Sequence, residues 1–243
     1  MPPALTDDPW AAASQVSGWL TPREGRFLHG VAAAAGPGAH IVEIGSFLGR
    51  STVCLAAGLA PGASITSVDP HIGSPKHTHL ICCTDTYPHF LANLDLAGVR
   101  DRVRVLRKSS AEAASEVDRP IDFLFIDGSH EYEDVRRDHE LWAPRVRAGG
   151  RIAFHDSWHM TGPHRATAEI LATSRRARAP RLVDTITVFT VVEANRALDR
   201  LANRAFLLSR LPRGALGFVR LTWRGGTHLV PVAAAARDIP DHR

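Results

Sequence analysis

The sequence predicts a doubly wound α/β fold, in which a mostly parallel sheet carries helices on both faces. The chain has 243 residues, of which 44% are hydrophobic and 22% charged, and this is enough for one α/β domain with a large core. Short apolar runs of strand length alternate with helical patterns, which favours parallel strands joined by right-handed crossovers. Polar and acidic residues directly follow several of these runs, at the strand ends where ligands of such sheets bind.

The patterns divide the chain into three segments. Residues 1–35 are predicted to be a helical lead-in that covers the ligand edge, residues 36–193 to be the ligand-binding domain, and residues 194–243 to be a helix and hairpin packed on that domain. Within the lead-in, residues 7–20 show an alanine-rich amphipathic pattern. Thr21 can cap a second helix, which a proline opens in its first turn and which runs to residue 35.

Residues 40–44 are predicted to be the first strand, and the segment that follows is predicted to bind a cofactor. Gly45 and Gly49 bracket a tight turn, and helical spacing resumes at Ser51. A helix N-terminus carries unpaired N–H groups and partial positive charge, and glycine lets a ligand approach the backbone closely. The turn therefore suits a nucleotide-type cofactor; the alternative is a glycine-rich turn that binds nothing.

Two side chains narrow the choice of cofactor. Phe47 stands where the dinucleotide fingerprint Gly-x-Gly-x-x-Gly requires its second glycine, which disfavours NAD. Glu43, at the end of the strand, would repel a pyrophosphate but tolerates a cationic ligand such as S-adenosylmethionine, which carries a sulfonium and an ammonium group.

The second strand, residues 63–69, ends in another acid. Asp69 lies about 20 residues past the glycine turn, where a carboxylate can accept hydrogen bonds from ribose hydroxyls. The alternative is an aspartate that only begins a turn before Pro70. The polar loop 71–89 is predicted to line the substrate pocket, with metal binding by its histidines as the alternative.

A third strand, residues 103–106, leads into a serine-rich helix start. Ser110 and Ala111 would lie at the carboxyl end of this strand, near an adenine bound in the crevice.

The fourth and fifth strands, residues 121–126 and 151–154, each run into polar residues. Asp127 and Asp156 should converge there, and two carboxylates repel unless a cation lies between them; oxygen ligands favour Mg²⁺ or Mn²⁺. His155 could be a further metal ligand or a hydrogen-bonded, half-buried histidine, because neighbouring residues on a strand point opposite ways. The alternative for Asp156 is a cap of a helix or turn.

His130 follows Asp127 by three residues, on the loop that enters a helix over residues 131–143. Histidine titrates near neutral pH, so beside a hydroxyl substrate it is the predicted general base. The alternative is a helix-cap contact without catalysis. Residues 147–150 are predicted to terminate the helix.

The remaining elements close the sheet and extend it. We predict a helix over residues 163–178, one or two strands over 181–192, a helix over 194–210, and a hairpin from strands 217–223 and 227–232. The apolar face of the helix over 194–210 could pack on the core or form a homodimer interface.

Composition restricts the partners. The net charge is +4, but the arginines are spread along the chain, so a nucleic-acid partner is not expected. No apolar run reaches membrane-spanning length, and no signal peptide is recognisable. Cys54, Cys82 and Cys83 form neither a disulfide set nor a metal motif, which predicts a reducing, cytoplasmic location.

Four segments together resemble the class I S-adenosylmethionine-dependent methyltransferases. They are Ile-Val-Glu-Ile-Gly-Ser-Phe-Leu-Gly-Arg-Ser at 41–51, Ser-Val-Asp-Pro at 67–70, Phe-Leu-Phe-Ile-Asp-Gly-Ser-His at 123–130 and Ala-Phe-His-Asp-Ser-Trp at 153–158. Within this family, the segments are similar to those of the small-molecule O-methyltransferases of the macrolide-sugar type. The aromatic residue in the turn is also similar to that of the catechol-type enzymes. The resemblance covers roughly residues 18–192.

The resemblance implies a Rossmann-like, seven-stranded sheet with one antiparallel strand, and it assigns roles to single residues. His130 corresponds to the base, and Asp127, Asp156 and His155 to the metal-ligand positions, although some of the sugar-methylating relatives carry an acid in the place of His155. The implied cofactor-binding residues are Glu43, Gly45, Ser46, Gly49, Ser51, Asp69, Ser110, Ala111 and Asp127.

The function predicted on these grounds is methyl transfer from S-adenosylmethionine to a hydroxyl of a small-molecule acceptor, such as a sugar of a secondary metabolite, with Mg²⁺ as a further cofactor. N-methylation within the same fold stays open. An NAD(P)-dependent oxidoreductase is disfavoured by Phe47 and Glu43. A non-catalytic nucleotide-binding module is disfavoured because Asp127 and His130 are present.

Overall fold

The fold is built on one seven-stranded sheet. The computed structural model describes Asp8 and residues 10–73 and 85–209. The strands are β1 His40–Ile44, β2 Ser64–Val68, β3 Val103–Leu106, β4 Ile121–Ile126, β5 Val146–Phe154, β6 Ala177–Val183 and β7 Ile186–Val191. Their order is β3-β2-β1-β4-β5-β7-β6, and β7 alone runs against its neighbours. The predicted fold class is confirmed.

Helices connect the strands. In the described part of the chain they are α1 Trp10–Ser14, α2 Pro22–Ala35, α3 Arg50–Gly58, α4 Tyr87–Leu96, α5 Ser110–Ala113, α6 Tyr132–Trp142, α7 Thr161–Thr173 and α8 over residues 197–209. None of the helices among these residues is long and apolar enough to cross a membrane.

The sheet separates two hydrophobic clusters because alternate residues of its strands face opposite sides. Ile41 and Phe123 belong to the cluster that α2, α3 and α4 cover. Their neighbours Val42 and Leu124 belong to the second cluster, which α6 and α7 cover. Parallel strands buried on both faces read as continuous apolar runs, and this is why the central strands are recognisable in the sequence.

The lead-in differs from the prediction at its first helix. Helix α1 ends at Ser14 rather than near residue 20, because the Arg50 guanidinium binds the carbonyl oxygens of Val16 and Gly18 and holds this stretch in a non-helical path. The cap of α2 is confirmed. Thr21 accepts a hydrogen bond from the Glu24 amide, and Glu24 in turn accepts one from the Thr21 amide.

Two predictions near the end of the sheet are wrong in their bounds. Residues 147–150 do not terminate a helix; they form the first part of β5, where the pairing with β4 shifts register. The helix predicted over 163–178 ends at Thr173, because the chain from Ala177 pairs with β7 as strand β6. The predicted hairpin over 217–232 lies outside the described residues.

Candidate active site

The buried Glu43 side chain stabilises the turn between β1 and α3. The Glu43 side chain is fully buried, and its two carboxylate oxygens accept hydrogen bonds of 2.5 Å from the hydroxyls of Ser51 and Thr52. Burial raises the pKa of Glu43 to about 7. Glu43 therefore ties the strand to the first turn of the helix, and Ser51 points inward to it.

The Asp69 carboxylate binds backbone amides of the same turn. Its Oδ2 atom accepts hydrogen bonds of 2.9 Å from the backbone amides of Ser46 and Phe47, and Oδ1 accepts one of 2.7 Å from the His71 amide. Phe47 has a left-handed φ of +48°, which turns these amides toward the carboxylate. A carboxylate offers about four acceptor sites and three are used by amides, so Asp69 can still accept a hydrogen bond from a ribose hydroxyl.

One buried polar atom in this turn fits a ligand. The Ser46 hydroxyl oxygen is buried and has no hydrogen-bond partner. Buried polar groups are normally satisfied, so an unsatisfied hydroxyl in a glycine-bracketed turn fits a bound polar group. Gly45 is needed for a different reason: a Cβ there would lie 2.3 Å from the Asp127 carbonyl oxygen, so the first and fourth strand ends meet at this glycine.

The predicted adenine region contains an acid that sequence reasoning missed. Ser110 accepts a hydrogen bond of 2.8 Å from the Trp142 indole and also binds Asp138 on α6, whereas Ala111 is exposed. Burial raises the pKa of Asp138 to about 6. Asp138 could have been found from the sequence, because it lies at helical spacing between Val135 and Trp142 on the buried face of α6.

The catalytic candidates meet where β4 and β5 end. Asp127, His130 and Asp156 each direct one potential ligand atom into a group whose atoms all lie within 4.8 Å of one another. His130 Nε2 is 3.2 Å from Asp156 Oδ2. Asp156 adopts a left-handed φ of +51°, and the first turn of α7 approaches so closely that a Cβ on Gly162 would lie 2.1 Å from the His130 carbonyl oxygen.

His155 lies beside this group rather than in it. Its Nδ1 atom is 3.0 Å from Asp127 Oδ1, and its Nε2 atom is 3.5 Å from Glu24 Oε2, an ion-pair distance that is long for a hydrogen bond. The imidazole thus bridges two carboxylates. In this geometry the third member of the candidate metal group is His130, and His155 is a charged neighbour of the group.

The charged groups in this region shift one another's pKa values. Burial by itself would lower the pKa of His155, but Asp127, Glu24 and Asp156 outweigh it and hold that pKa well above its ordinary value. Burial would raise the pKa of Glu24, yet the nearby His155 imidazole and hydrogen bonds from Thr185 and Thr21 lower it to about 2.

The hydrogen bond to Asp156 raises the pKa of His130. Burial would raise the pKa of Asp156, but that hydrogen bond and the nearby histidines lower it. Burial raises the pKa of Asp127, although His155 opposes the shift.

Comparison with known proteins agrees with this architecture. A family model described as a methyltransferase domain matches residues 42–157, which include the turn after β1 and both strand-end carboxylates. The matched residues therefore read as a methyltransferase domain, in agreement with the resemblance to the class I S-adenosylmethionine-dependent methyltransferases.

One curated relative is much longer than this chain. An uncharacterized protein y4gI of Sinorhizobium fredii is 32% identical over 153 residues, and the alignment covers 58% of this chain but 15% of that protein. The methyltransferase therefore spans a small part of the length of this curated relative.

Solved structures share the fold. An O-methyltransferase from Bacillus cereus in complex with SAH has a TM-score of 0.55 and 22% identity, covering 74% of this chain and 86% of its own. The O-methyltransferase TomG from Streptomyces achromogenes, involved in tomaymycin synthesis and in complex with SAM, has a TM-score of 0.57 and 18% identity, covering 77% and 90%. At these identities the likeness establishes the shared fold.

The donor set of the methyltransferase fits a divalent cation. Asp127 and Asp156 offer carboxylate oxygens, which Mg²⁺ and Mn²⁺ prefer. His130 contacts Asp156 through Nε2 and is not needed as a ligand, because Mg²⁺ commonly keeps several waters in its coordination shell.

Proposed function

We propose that the methyltransferase moves the methyl group of S-adenosylmethionine to a hydroxyl oxygen of a small molecule. The observation that carries this proposal is the placement of His130 against two carboxylates at the carboxyl edge of the sheet, across Gly45 from the glycine-bracketed turn. A base and a cofactor turn on neighbouring strand ends allow donor and acceptor to be aligned.

The turn and Asp69 would hold the methyl donor. Ser46 would offer its unsatisfied hydroxyl, Asp69 would bind the ribose, and Ser110 with Asp138 would lie at the adenine end. When bound, S-adenosylmethionine supplies an electrophilic methyl group on a sulfonium centre. Glu43 contributes by fixing the turn, because both of its oxygens are used by Ser51 and Thr52.

His130 removes the acceptor proton. Its Nε2 atom faces Asp156, which leaves Nδ1 as the nitrogen that can receive the proton. The acceptor oxygen attacks in line as the sulfur–carbon bond breaks, the electron pair stays on sulfur, and the hydroxyl proton passes to His130. Asp156 stabilises the imidazolium that forms.

Asp127 and Asp156 would orient the acceptor. The side chains of Asp127 and Asp156 are 22% and 13% exposed, and they can bind neighbouring hydroxyls directly or through a divalent cation. A bound cation would lower the pKa of the hydroxyl that it contacts. This favours an acceptor with adjacent hydroxyls, such as a sugar unit of a secondary metabolite or a catechol.

The wider predictions also remain proposals. Leu198, Leu201 and Leu208 are exposed on α8, which is compatible with a homodimer. The absence of a nucleic-acid partner and the cytoplasmic location stay predictions, as does the division of the chain at residues 35 and 193.

The test is transfer of an isotope-labelled methyl group from S-adenosylmethionine to a panel of catechols and glycosides, with matched amine acceptors. We expect label on oxygen in at least one hydroxylated acceptor, located by mass spectrometry, and loss of transfer when the hydroxyls are blocked. Label found only on the amines would contradict the proposal.

A further inference from the structure

Glu24 makes more contacts than a helix cap requires. It is the third residue of α2 and is fully buried. Oε2 accepts the capping hydrogen bond from the Thr21 amide, while Oε1 accepts hydrogen bonds from the Thr185 amide at 2.8 Å and the Thr185 hydroxyl at 2.6 Å. The carboxylate also faces His155 Nε2 at 3.5 Å. Capping alone does not explain this last contact.

His155 connects Glu24 to Asp127 in the candidate site. The imidazole is 4% exposed, packs edge-on against the ring of Phe125, and has Glu24 on one side and Asp127 on the other. The hydrogen bond at Nδ1, the Phe125 ring and the Glu24 carboxylate that faces Nε2 together favour one orientation of the imidazole. The Asp127 carboxylate, which is 22% exposed, is thereby held on the side of His130 and Asp156.

We propose that Glu24 is a positioning residue, which acts through His155 to fix the Asp127 carboxylate at the catalytic edge. The proposal rests on the proposed function for the meaning of that edge, although the geometry of the three side chains does not depend on it. The start of α2, predicted as part of a helical lead-in that covers the ligand edge, then forms part of the site. At metal sites, removal of a side chain that orients a ligand in this way commonly lowers metal affinity or activity by about 10–100-fold.

The test variant is Glu24→Gln. Glutamine keeps the shape and can still cap the helix, but it supplies one acceptor oxygen and removes the negative charge that faces His155. In crystal structures of the wild-type protein and the variant, we expect the Asp127 Oδ1 to His155 Nδ1 distance, 3.0 Å here, to lengthen beyond hydrogen-bond range. We also expect kcat to fall about 10-fold or more while the Kd of S-adenosylhomocysteine changes less than about 2-fold.

Two matched controls separate positioning from stability. Glu112→Gln alters the other glutamate that caps a helix, at the third residue of α5, where the side chain is exposed. Thr185→Val removes one hydroxyl donor to Glu24 but leaves His155 in place. Both controls should keep kcat within about 2-fold, and Thr185→Val should lower the melting temperature without moving Asp127.

An unchanged Asp127 rotamer together with an unchanged kcat in Glu24→Gln would overturn the proposal. If that variant does not fold, His155→Gln breaks the same link, and retention of the Asp127 position would again overturn it. If the wild-type protein does not bind S-adenosylhomocysteine, the proposed function fails, and the Asp127 position in the variant structures still decides this inference.

Discussion

Replacing His130 with glutamine is expected to lower kcat for methyl transfer by about 10²–10⁴-fold, the range typical for loss of a general base. Glutamine can still contact Asp156 but cannot accept the proton. Since His130 is proposed to touch the acceptor and not the cofactor, the Kd of S-adenosylhomocysteine should stay within about 2-fold of wild type. Steady-state kinetics and calorimetry measure the two quantities.

The wild-type pH profile gives an independent check of the same role. The hydrogen bond to Asp156 raises the pKa of His130 above its ordinary 6.5, and a base must be neutral to act. We therefore expect kcat/KM, which reports ionisations of the free enzyme, to rise with pH through a pKa above 6.5 and this limb to disappear in His130→Gln.

His159→Gln is the matched control for the base. His159 also lies close to Asp156, at 3.3 Å, but its side chain is 53% exposed. We expect kcat to remain within about 3-fold. An equal loss in both variants would show that Asp156 needs charged neighbours and that His130 is not the base.

Replacing Gly45 with alanine is expected to destabilise the protein by about 2–5 kcal/mol and to weaken binding of S-adenosylhomocysteine more than 10-fold. The new Cβ would lie 2.3 Å from the Asp127 carbonyl oxygen, a backbone atom that cannot move without β4. Gly45 also has a left-handed φ of +84°, which disfavours a side chain. Denaturant unfolding and calorimetry are the measurements.

Gly38→Ala isolates the backbone part of this effect. Gly38 has a left-handed φ of +71°, and a Cβ there would meet no atom within 4 Å. We expect a loss of about 1–2 kcal/mol with cofactor affinity retained. If Gly45→Ala cost no more than Gly38→Ala, the close contact between the turn and β4 would not exist in solution.

Strands with sharp boundaries could be predicted from the sequence. The bounds of β1, β3 and β4 are the predicted ones, because each apolar run stops at a glycine or a charged residue that cannot remain in the sheet core. The beginning of β5 could not be predicted, because residues 147–150 contain two glycines and two other non-β-formers, and their pairing with β4 is a tertiary effect.

The site was predictable where single residues follow strands and hidden where contacts are long-range. Asp127, His130 and Asp156 come together because parallel strands end at one edge. Glu24 is recognisable in the sequence only as a cap; its contacts with Thr185 and His155 join distant parts of the chain. The bridging role of His155 depends on those contacts, so the sequence pattern left metal ligation and a hydrogen-bonded, half-buried histidine as alternatives.

Titration calorimetry with S-adenosylhomocysteine, compared with NAD under the same conditions, tests the central claim most directly. We expect S-adenosylhomocysteine to bind with a micromolar Kd and NAD to give no measurable heat. In Asp69→Asn the Kd of S-adenosylhomocysteine should be about 10-fold weaker, because the turn and the ribose lose one carboxylate oxygen. Binding of NAD in preference to S-adenosylhomocysteine, or binding of neither ligand, would contradict it.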